Sequence, residues 1–229
     1  MERACERARQ GDLQYFQNLP PDEVSRLVAA SDEDGRSLLH AAVSAGRLGM
    51  VQELVARGAR ESVNRQDDEG WAPLHTAVSI NNVPLVEYLL EMGATVDVKN
   101  AGKREPIHYA ASKGGRELVD VLLANGATVN VQDATGSTPL HRAASAGRLK
   151  AAQALVEKGA LIDARDRTGA TPLFVAVTCQ NDSIALYLAA QGADLEAETK
   201  DKQTPLGSAG KLAQVLRAAA NGDIDVDDL

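Results

Sequence analysis

The stretch Thr138-Pro139-Leu140-His141-Arg142-Ala143 decides the fold of this 229-residue chain, because close copies of it recur at a fixed spacing. The histidine, or the residue that replaces it, stands at His40, His75, His108, His141, Phe174 and Gly207. Successive copies therefore lie 35, 33, 33, 33 and 33 residues apart. A constant period in this range predicts an array of small, similar units, each of which buries its apolar side against its neighbours.

Each unit has the sequence of a turn followed by two helices. Asp166-Arg167-Thr168-Gly169 is a turn signal, and Thr171-Pro172 then supplies a hydroxyl cap and a proline for the first helical position. A second helix is predicted from apolar residues spaced i, i+3 and i+4, as in Val119, Leu122 and Leu123. A Gly-Ala pair ends it, with the glycine suited to the left-handed position after a helix.

Counting outward from the clear copies gives seven units in one domain, residues 1–221. An N-terminal cap over 1–33 precedes five full repeats over 34–200, and a C-terminal cap covers 201–221. The two extra residues of the first interval fall between Ala59 and Gly70, where a loop is predicted. The aspartate-rich tail 222–229 is predicted to be disordered.

The T-P-L-H-x-A phrase and its period of about 33 residues resemble the ankyrin-repeat family. The resemblance implies an all-α solenoid of seven helix-turn-helix units with β-hairpin tips. It also implies that the signature histidine is structural and bonds the backbone of the adjoining unit. In such proteins, the tips and the first helices line a concave face that binds a protein partner.

Composition narrows the class of partner. With 24 basic and 32 acidic residues, the formal net charge is −8, and aromatic residues are scarce. Nucleic acid is therefore an improbable ligand, since it requires a concentrated basic surface and benefits from stacking platforms. No apolar run reaches the roughly 20 residues that span a bilayer, and the first residues are charged. We expect a cytoplasmic and nuclear protein that is monomeric when free, with Cys5 and Cys179 too far apart for a disulfide.

The residue inventory argues against an enzyme. All four histidines occupy the signature position, so none remains for acid–base work, and Cys179 has no histidine in its own repeat to activate it. Phosphate-binding loops and metal-ligand spacings are also missing from the sequence. We expect no catalytic residues, no cofactor and no metal, and a function in binding.

Six residues are candidates for partner contact. Trp71 stands just before a helix where the core does not require it, so it is either an exposed anchor or a residue that packs over the neighbouring tip. The basic residues Arg36, Arg104, Lys113 and Arg142, together with Tyr109, would form a positive stripe on the concave face. Such a stripe suggests an acidic partner surface, although scattered surface charge is the alternative.

Within the family, the chain is similar to the proteasome-associated assembly chaperones. The similarity lies in residues 67–75, which include Trp71, in 106–113, and in 202–206. It implies a chaperone of the 26S regulatory particle that binds the C-terminal domain of an AAA-ATPase base subunit. Arg36 and Lys113 match basic contact positions of that group, whereas Arg104 and Arg142 come from geometry alone. The alternative is an ankyrin adaptor or inhibitor of an unrelated kinase or transcription factor.

Overall fold

The computed structural model describes residues 1–224; positions 225–229 of the predicted acidic tail lie outside the described residues. Within residues 1–224 the regular structure is helical, with two short 3-10 turns at Ala59–Ser62 and Gly210–Leu212. The α-helices are α1 Glu2–Gln10, α2 Leu13–Gln17, α3 Pro21–Ala29, α4 Leu38–Ser44, α5 Leu48–Ala56, α6 Pro73–Ser79, α7 Val83–Glu91, α8 Pro106–Lys113, α9 Arg116–Ala124, α10 Pro139–Ala146, α11 Leu149–Glu157, α12 Pro172–Thr178, α13 Asp182–Ala190, α14 Pro205–Ser208 and α15 Ala213–Asn221. The helices pair as the repeat predicts, and the N-terminal cap contains three helices instead of two.

The prediction of β-hairpin tips is wrong, because no strand occurs within residues 1–224. Each tip is a tight turn, as at Asp67, whose N–H donates to Trp71 O at 2.9 Å while Gly70 N–H returns to Asp67 O at 2.8 Å. A backbone bond such as Asp68 N–H to Asp34 O, 3.0 Å long, joins neighbouring tips. These turns leave no extended run of residues along which a strand ladder could form.

The chain divides into two compact units, Met1–Pro106 and Ile107–Leu229. In the first unit, α4 packs on α1, α5 and α6, and in the second, α12 packs on α10, α13 and α14. Each unit has its own apolar core. Phe16, Leu39, Leu54, Leu74 and Leu89 are fully buried in the first, and Ile107, Leu118, Leu122, Leu140 and Leu173 in the second.

In α5, α7 and α9, the buried side of the second helix begins one residue before the predicted stripe. In α9, Val119 and Leu122 are fully buried as expected, but Leu118 is also buried and Leu123 lies at the half-buried edge. One residue turns a helix by 100°, so Leu118, Leu122 and Val119 share one side while Leu123 falls at its margin. The same rotation buries Met50 in α5 and Leu85 in α7.

The signature histidine connects the start of its own helix to the following repeat. In the first unit, Nδ1 of His40 accepts from the Ser37 backbone N–H at 3.1 Å, and Nδ1 of His75 accepts from that of Ala72 at the same distance. The opposite ring nitrogen, Nε2, lies 3.0 Å from Trp71 O in His40 and 3.0 Å from Arg104 O in His75. Since a carbonyl only accepts, Nε2 carries the proton and the ring is neutral. The structural role implied for this histidine is thus confirmed.

The cap hydroxyl changes its partner according to whether this histidine is present. The Thr138 hydroxyl lies 2.9 Å from Nδ1 of His141, whereas Thr171, followed by Phe174 at the same spacing, accepts a helix N–H at 3.3 Å. Thr204 likewise accepts from Gly207 N–H at 3.0 Å. Where the histidine is absent, the hydroxyl bonds only the helix N–H, whereas Ser37, which has a histidine, contacts both Nδ1 of His40 at 2.9 Å and the His40 N–H at 3.4 Å.

The two-residue insertion in the first interval does more than lengthen a loop. It forms the 3-10 turn Ala59–Ser62 and is followed by Arg65, whose guanidinium donates to Ala29 O at 2.8 Å and to Ser31 Oγ at 3.1 Å. Carbonyls at a helix C-terminus lack intrahelical partners and carry a partial negative charge. Arg65 therefore fastens the end of α3 to the insertion.

Candidate functional site

The residue just before each helix cap, which we call the pre-cap residue, is held rigidly by the turn. In the first unit, Asp32 Oδ1 accepts from Arg36 N–H at 2.9 Å, Asp67 Oδ1 from Trp71 N–H at 2.8 Å, and Asn100 Oδ1 from Arg104 N–H at 3.1 Å. The pre-cap carbonyls of Trp71 and Arg104 also receive the histidine Nε2 of the preceding repeat. With the backbone fixed at both ends, side chains at these positions project from defined points.

Arg36 and Trp71 are brought together in the first unit. They line a surface groove of about 310 Å³, here called the Trp71 groove, whose other lining includes Arg9, Glu69 and Thr76. The Trp71 ring is half-buried, with its centroid 5.6 Å from that of His75. Trp71 thus both packs within the repeat and presents part of its ring to the groove.

The Trp71 groove carries charges of both signs. The Arg36 side chain is 48% exposed, and its Nε lies 3.2 Å from Oδ2 of Asp67, whose side chain is only 4% exposed. A second contact joins Arg36 Nη1 to Oδ2 of the exposed Asp34 at 3.5 Å. Because the buried Asp67 holds one edge of the guanidinium fork, Arg36 is oriented while much of its surface still faces solvent.

Arg9 was not among the residues predicted from the sequence. It is exposed on α1, whose buried residues are Ala4, Cys5 and Ala8, and it lines the same groove. The N-terminal cap lacks the signature phrase, so motif matching gave no position for it. The small residues Ala4, Cys5 and Ala8 were the available signal, since they mark the side of α1 that packs inward and place Arg9 at the margin of that side.

Arg104 shares the first unit with this groove but does not line it. It is half-buried, and its carbonyl accepts from His75. Tyr109, Lys113 and Arg142 belong to the second unit, where Tyr109 is half-buried and Lys113 is exposed at the C-terminal end of α8. Lys113 makes no ion pair with any residue in the described part of the chain.

Arg142 is engaged within its own repeat. Its Nε lies 3.1 Å from Asp133 Oδ2, Nη2 also pairs with Asp133, and Nη2 lies 3.2 Å from Thr135 Oγ1. Burial by itself raises the pKa of Asp133, but hydrogen bonds from Thr135 and Arg142 outweigh it and hold that pKa well below its usual value. Arg142 is therefore fixed by a carboxylate that stays ionised.

Within the described residues there is no cluster of metal-ligating side chains and no candidate membrane-spanning helix. Within 1–224, no three side chains among His, Cys, Asp and Glu converge as metal ligands would. No helix in this range is long and apolar enough to cross a membrane. Cys5 is a buried free thiol and Cys179 an exposed one.

Comparison with known proteins assigns the family but gives no closer relative. The family model for ankyrin repeats (three copies) matches the chain twice, over residues 6–100 and 107–201. No curated protein matches it. Since the two matches cover most of the chain, and the paired helices and histidine contacts agree with them, this chain belongs to the ankyrin-repeat family.

Proposed function

We propose that the protein is a non-catalytic scaffold that binds another protein through the surface holding the Trp71 groove. Ankyrin repeats are typically protein-binding and non-catalytic. The observation that carries the proposal is the groove itself, where a partly exposed tryptophan meets an oriented arginine. Tryptophan and arginine are the residues most enriched among those that dominate binding energy at protein interfaces.

The groove fits an acidic segment with an apolar neighbour. Arg36 and Arg9 offer guanidinium groups to a carboxylate, and the exposed part of Trp71 offers apolar area beside them. Asp67 and Glu69 on the same lining would repel a misplaced acidic group, which favours one register of the bound segment. Lys113, exposed in the second unit, is a further cation for such a partner.

We further propose that this partner is the C-terminal domain of an AAA-ATPase subunit of the proteasome base. The support is the resemblance of the sequence around Trp71, Tyr109 and Lys113 to gankyrin, the ankyrin-repeat chaperone of the 26S regulatory particle. Arg36 and Lys113 stand at basic positions that match its contact residues. On this proposal, the protein holds the ATPase subunit during assembly and leaves as the particle matures.

The test is affinity purification of tagged protein from its source cells. Arg36→Glu, Lys113→Glu should lose the partner, because two attractive contacts become repulsive. The matched control is Arg26→Glu, Lys150→Glu, which makes the same change in net charge at exposed residues of α3 and α11. Circular dichroism establishes that both variants are folded.

The possible outcomes test the binding surface and the identity of the partner separately. A proteasomal ATPase subunit that is recovered with wild type and the control, and lost with the test variant, supports both. A kinase or transcription factor lost in the same pattern would retain the surface but overturn the proteasomal assignment. Equal recovery of the main partner with all three proteins would overturn the proposed surface.

A further inference from the structure

The turn formed by residues 133–137, in the second compact unit, presents a threonine hydroxyl beside an arginine. Thr135 is exposed there, and its Oγ1 donates to Asp133 Oδ1 at 2.7 Å. The same oxygen accepts from Arg142 Nη2 at 3.2 Å, and Ser137 Oγ lies 3.0 Å away. An exposed hydroxyl is thus in direct contact with a guanidinium group.

Another arginine lies on the neighbouring tip. Arg167 donates its backbone N–H to Thr135 O at 3.0 Å, and its Cγ would lie 3.2 Å from a Cβ built on Gly136. Its side chain is exposed and makes no ion pair with residues 1–224. Thr135 therefore contacts one guanidinium group, which Asp133 fixes, and the side chain of a second arginine starts beside the same tip.

We propose that Thr135 is a phosphorylation site whose phosphate is held by the guanidinium groups of Arg142 and Arg167. A serine/threonine kinase would transfer the γ-phosphoryl group of ATP to Oγ1. The bond from the γ-phosphorus to the bridging oxygen breaks, the Oγ1–P bond forms, ADP leaves, and the hydroxyl proton passes to the kinase's catalytic base. Arginine forks match phosphate oxygens in geometry and charge.

Phosphorylation would rearrange the contacts of Arg142. A phosphothreonine carries about −1.5 to −2 charge at neutral pH and can no longer donate to Asp133. The phosphate therefore repels the Asp133 carboxylate and attracts the guanidinium that Asp133 now holds. Arg142 shifts toward the phosphate, and the tip gains about 1.5 to 2 negative charges. The proposal concerns the tip alone and does not rest on the proteasomal assignment.

The chain supplies a matched control in the next repeat. Thr168 is also exposed, and its Oγ1 donates to Asp166 Oδ1 at 2.7 Å, as Thr135 does to Asp133. Lys200 donates its backbone N–H to Thr168 O at 2.9 Å, so a basic residue follows here too. The difference is on the helix, where Val175 occupies the position of Arg142. The two sites are alike at the Asp–Thr bond, and substitution of Arg142 or Val175 then tests the contribution of the helix arginine.

The experiment places phosphothreonine at position 135 or 168 of the full chain by genetic encoding and follows each phosphate by phosphorus NMR. The titration midpoint of the phosphate at 135 should lie about half a pH unit below that at 168, because Arg142 favours the dianion. Arg142→Gln should remove the difference. Equal midpoints, or a higher midpoint at 135, would overturn the arginine clamp.

A reciprocal variant tests whether Arg142→Gln acts only by destabilising the tip. Val175→Arg, in the chain phosphorylated at 168, should lower that midpoint toward the value at 135, without altering Asp133 or Thr135. A Val175→Gln control should leave it unchanged. If neither arginine position affects its neighbouring phosphate, the clamp is refuted regardless of how Arg142→Gln folds.

Use of the site is tested by mass spectrometry on protein purified from source cells with phosphatase inhibitors. Phosphate at Thr135 in clear excess over Thr168 supports the proposal. Phosphate at Thr168 alone, or at neither threonine after incubation of the protein with a source-cell extract and ATP, would overturn the assignment of Thr135 as an acceptor.

Discussion

At the scale of single residues, the signature histidine makes the fold sensitive to acid. Nδ1 accepts a backbone N–H and Nε2 donates to a carbonyl, so both ring nitrogens are used by the neutral form. Burial lowers the pKa of His40, His75 and His141, even though the backbone contact at Nε2 acts in the opposite direction. A proton added at Nδ1 would turn an acceptor toward an N–H donor.

We therefore expect the free energy of unfolding to fall as the pH is lowered below about 6.5, the ordinary histidine pKa. Below this pH the unfolded chain binds protons at these histidines more readily than the folded chain does. The contribution of the histidines to the free energy of unfolding is therefore full above that pH and is lost below it. Urea unfolding followed by circular dichroism at pH 7.5 and at successive steps to pH 5 measures the effect. A midpoint that stays constant over this range would contradict it.

Glu105 should have the opposite effect on the pH dependence of stability. It stands where four other repeats have a cap hydroxyl, is 3% exposed, and has Lys99 Nζ 3.6 Å from Oε1. Burial raises its pKa, so the folded chain binds a proton more readily than the unfolded chain, and its contribution to stability grows as the pH falls toward 4.5. Glu105 thus opposes the histidines. Glu105→Gln should make the loss of stability on acidification steeper, and a shallower loss would mean that the assigned sign is wrong.

At the scale of elements, the insertion after α5 should determine how firmly the N-terminal cap is held. Arg65→Ala removes the donors to Ala29 O and Ser31 Oγ and leaves carbonyls at the end of α3 without these partners. Bonds from charged donors contribute about 1.5 to 3 kcal/mol when buried and less when exposed, so we expect a loss of about 1 kcal/mol. Faster amide hydrogen exchange in α3 would report it locally.

Arg60 is the matched control for this prediction, since it is an exposed arginine of the same insertion. Arg60→Ala should leave exchange in α3 unchanged. Equal acceleration of exchange by both substitutions would show that the insertion acts through its backbone and not through the Arg65 contact.

The helices were predictable from the sequence because their signals are local. Proline at the first position, glycine after the second helix and the i, i+3, i+4 spacing each report on neighbours within one turn or two. The exact buried side of α9 was less predictable, since which of Leu118 and Leu123 is covered depends on the neighbouring helices. The tips were wrongly expected to be β because the family resemblance supplied the hairpin, whereas the turn bonds around Asp67 leave no extended run.

At the scale of the whole molecule, candidate positions for binding could be predicted from the repeat, but the contacts of their side chains could not. Arg36, Arg142 and Lys113 have the same sign of charge, yet Asp67 orients Arg36, Asp133 fixes Arg142, and Lys113 has no ion pair within residues 1–224. Such differences depend on which carboxylate a fold places nearby, and a periodic motif does not record this. Arg9 was missed for a related reason, because its place in the groove follows from the packing of α1 on α4.

The Trp71 groove should be the energetic centre of partner binding. Trp71→Ala removes the only tryptophan while leaving the backbone carbonyl that receives His40. Truncating such an anchor costs about 2 kcal/mol or more, which weakens the dissociation constant about 30-fold. Isothermal titration calorimetry with the partner recovered by affinity purification measures this.

Leu161→Ala provides the comparison, since Leu161, at 61%, is the most exposed of the large apolar side chains within residues 1–224 and lies in the loop after α11. Its loss should change the dissociation constant by less than a factor of about two, as expected for an exposed residue outside an interface. Comparable weakening by both substitutions would indicate a general loss of apolar surface. Unchanged binding by Trp71→Ala would show that the ring only packs over the neighbouring repeat, and the energetic centre would then have to lie with the charged residues.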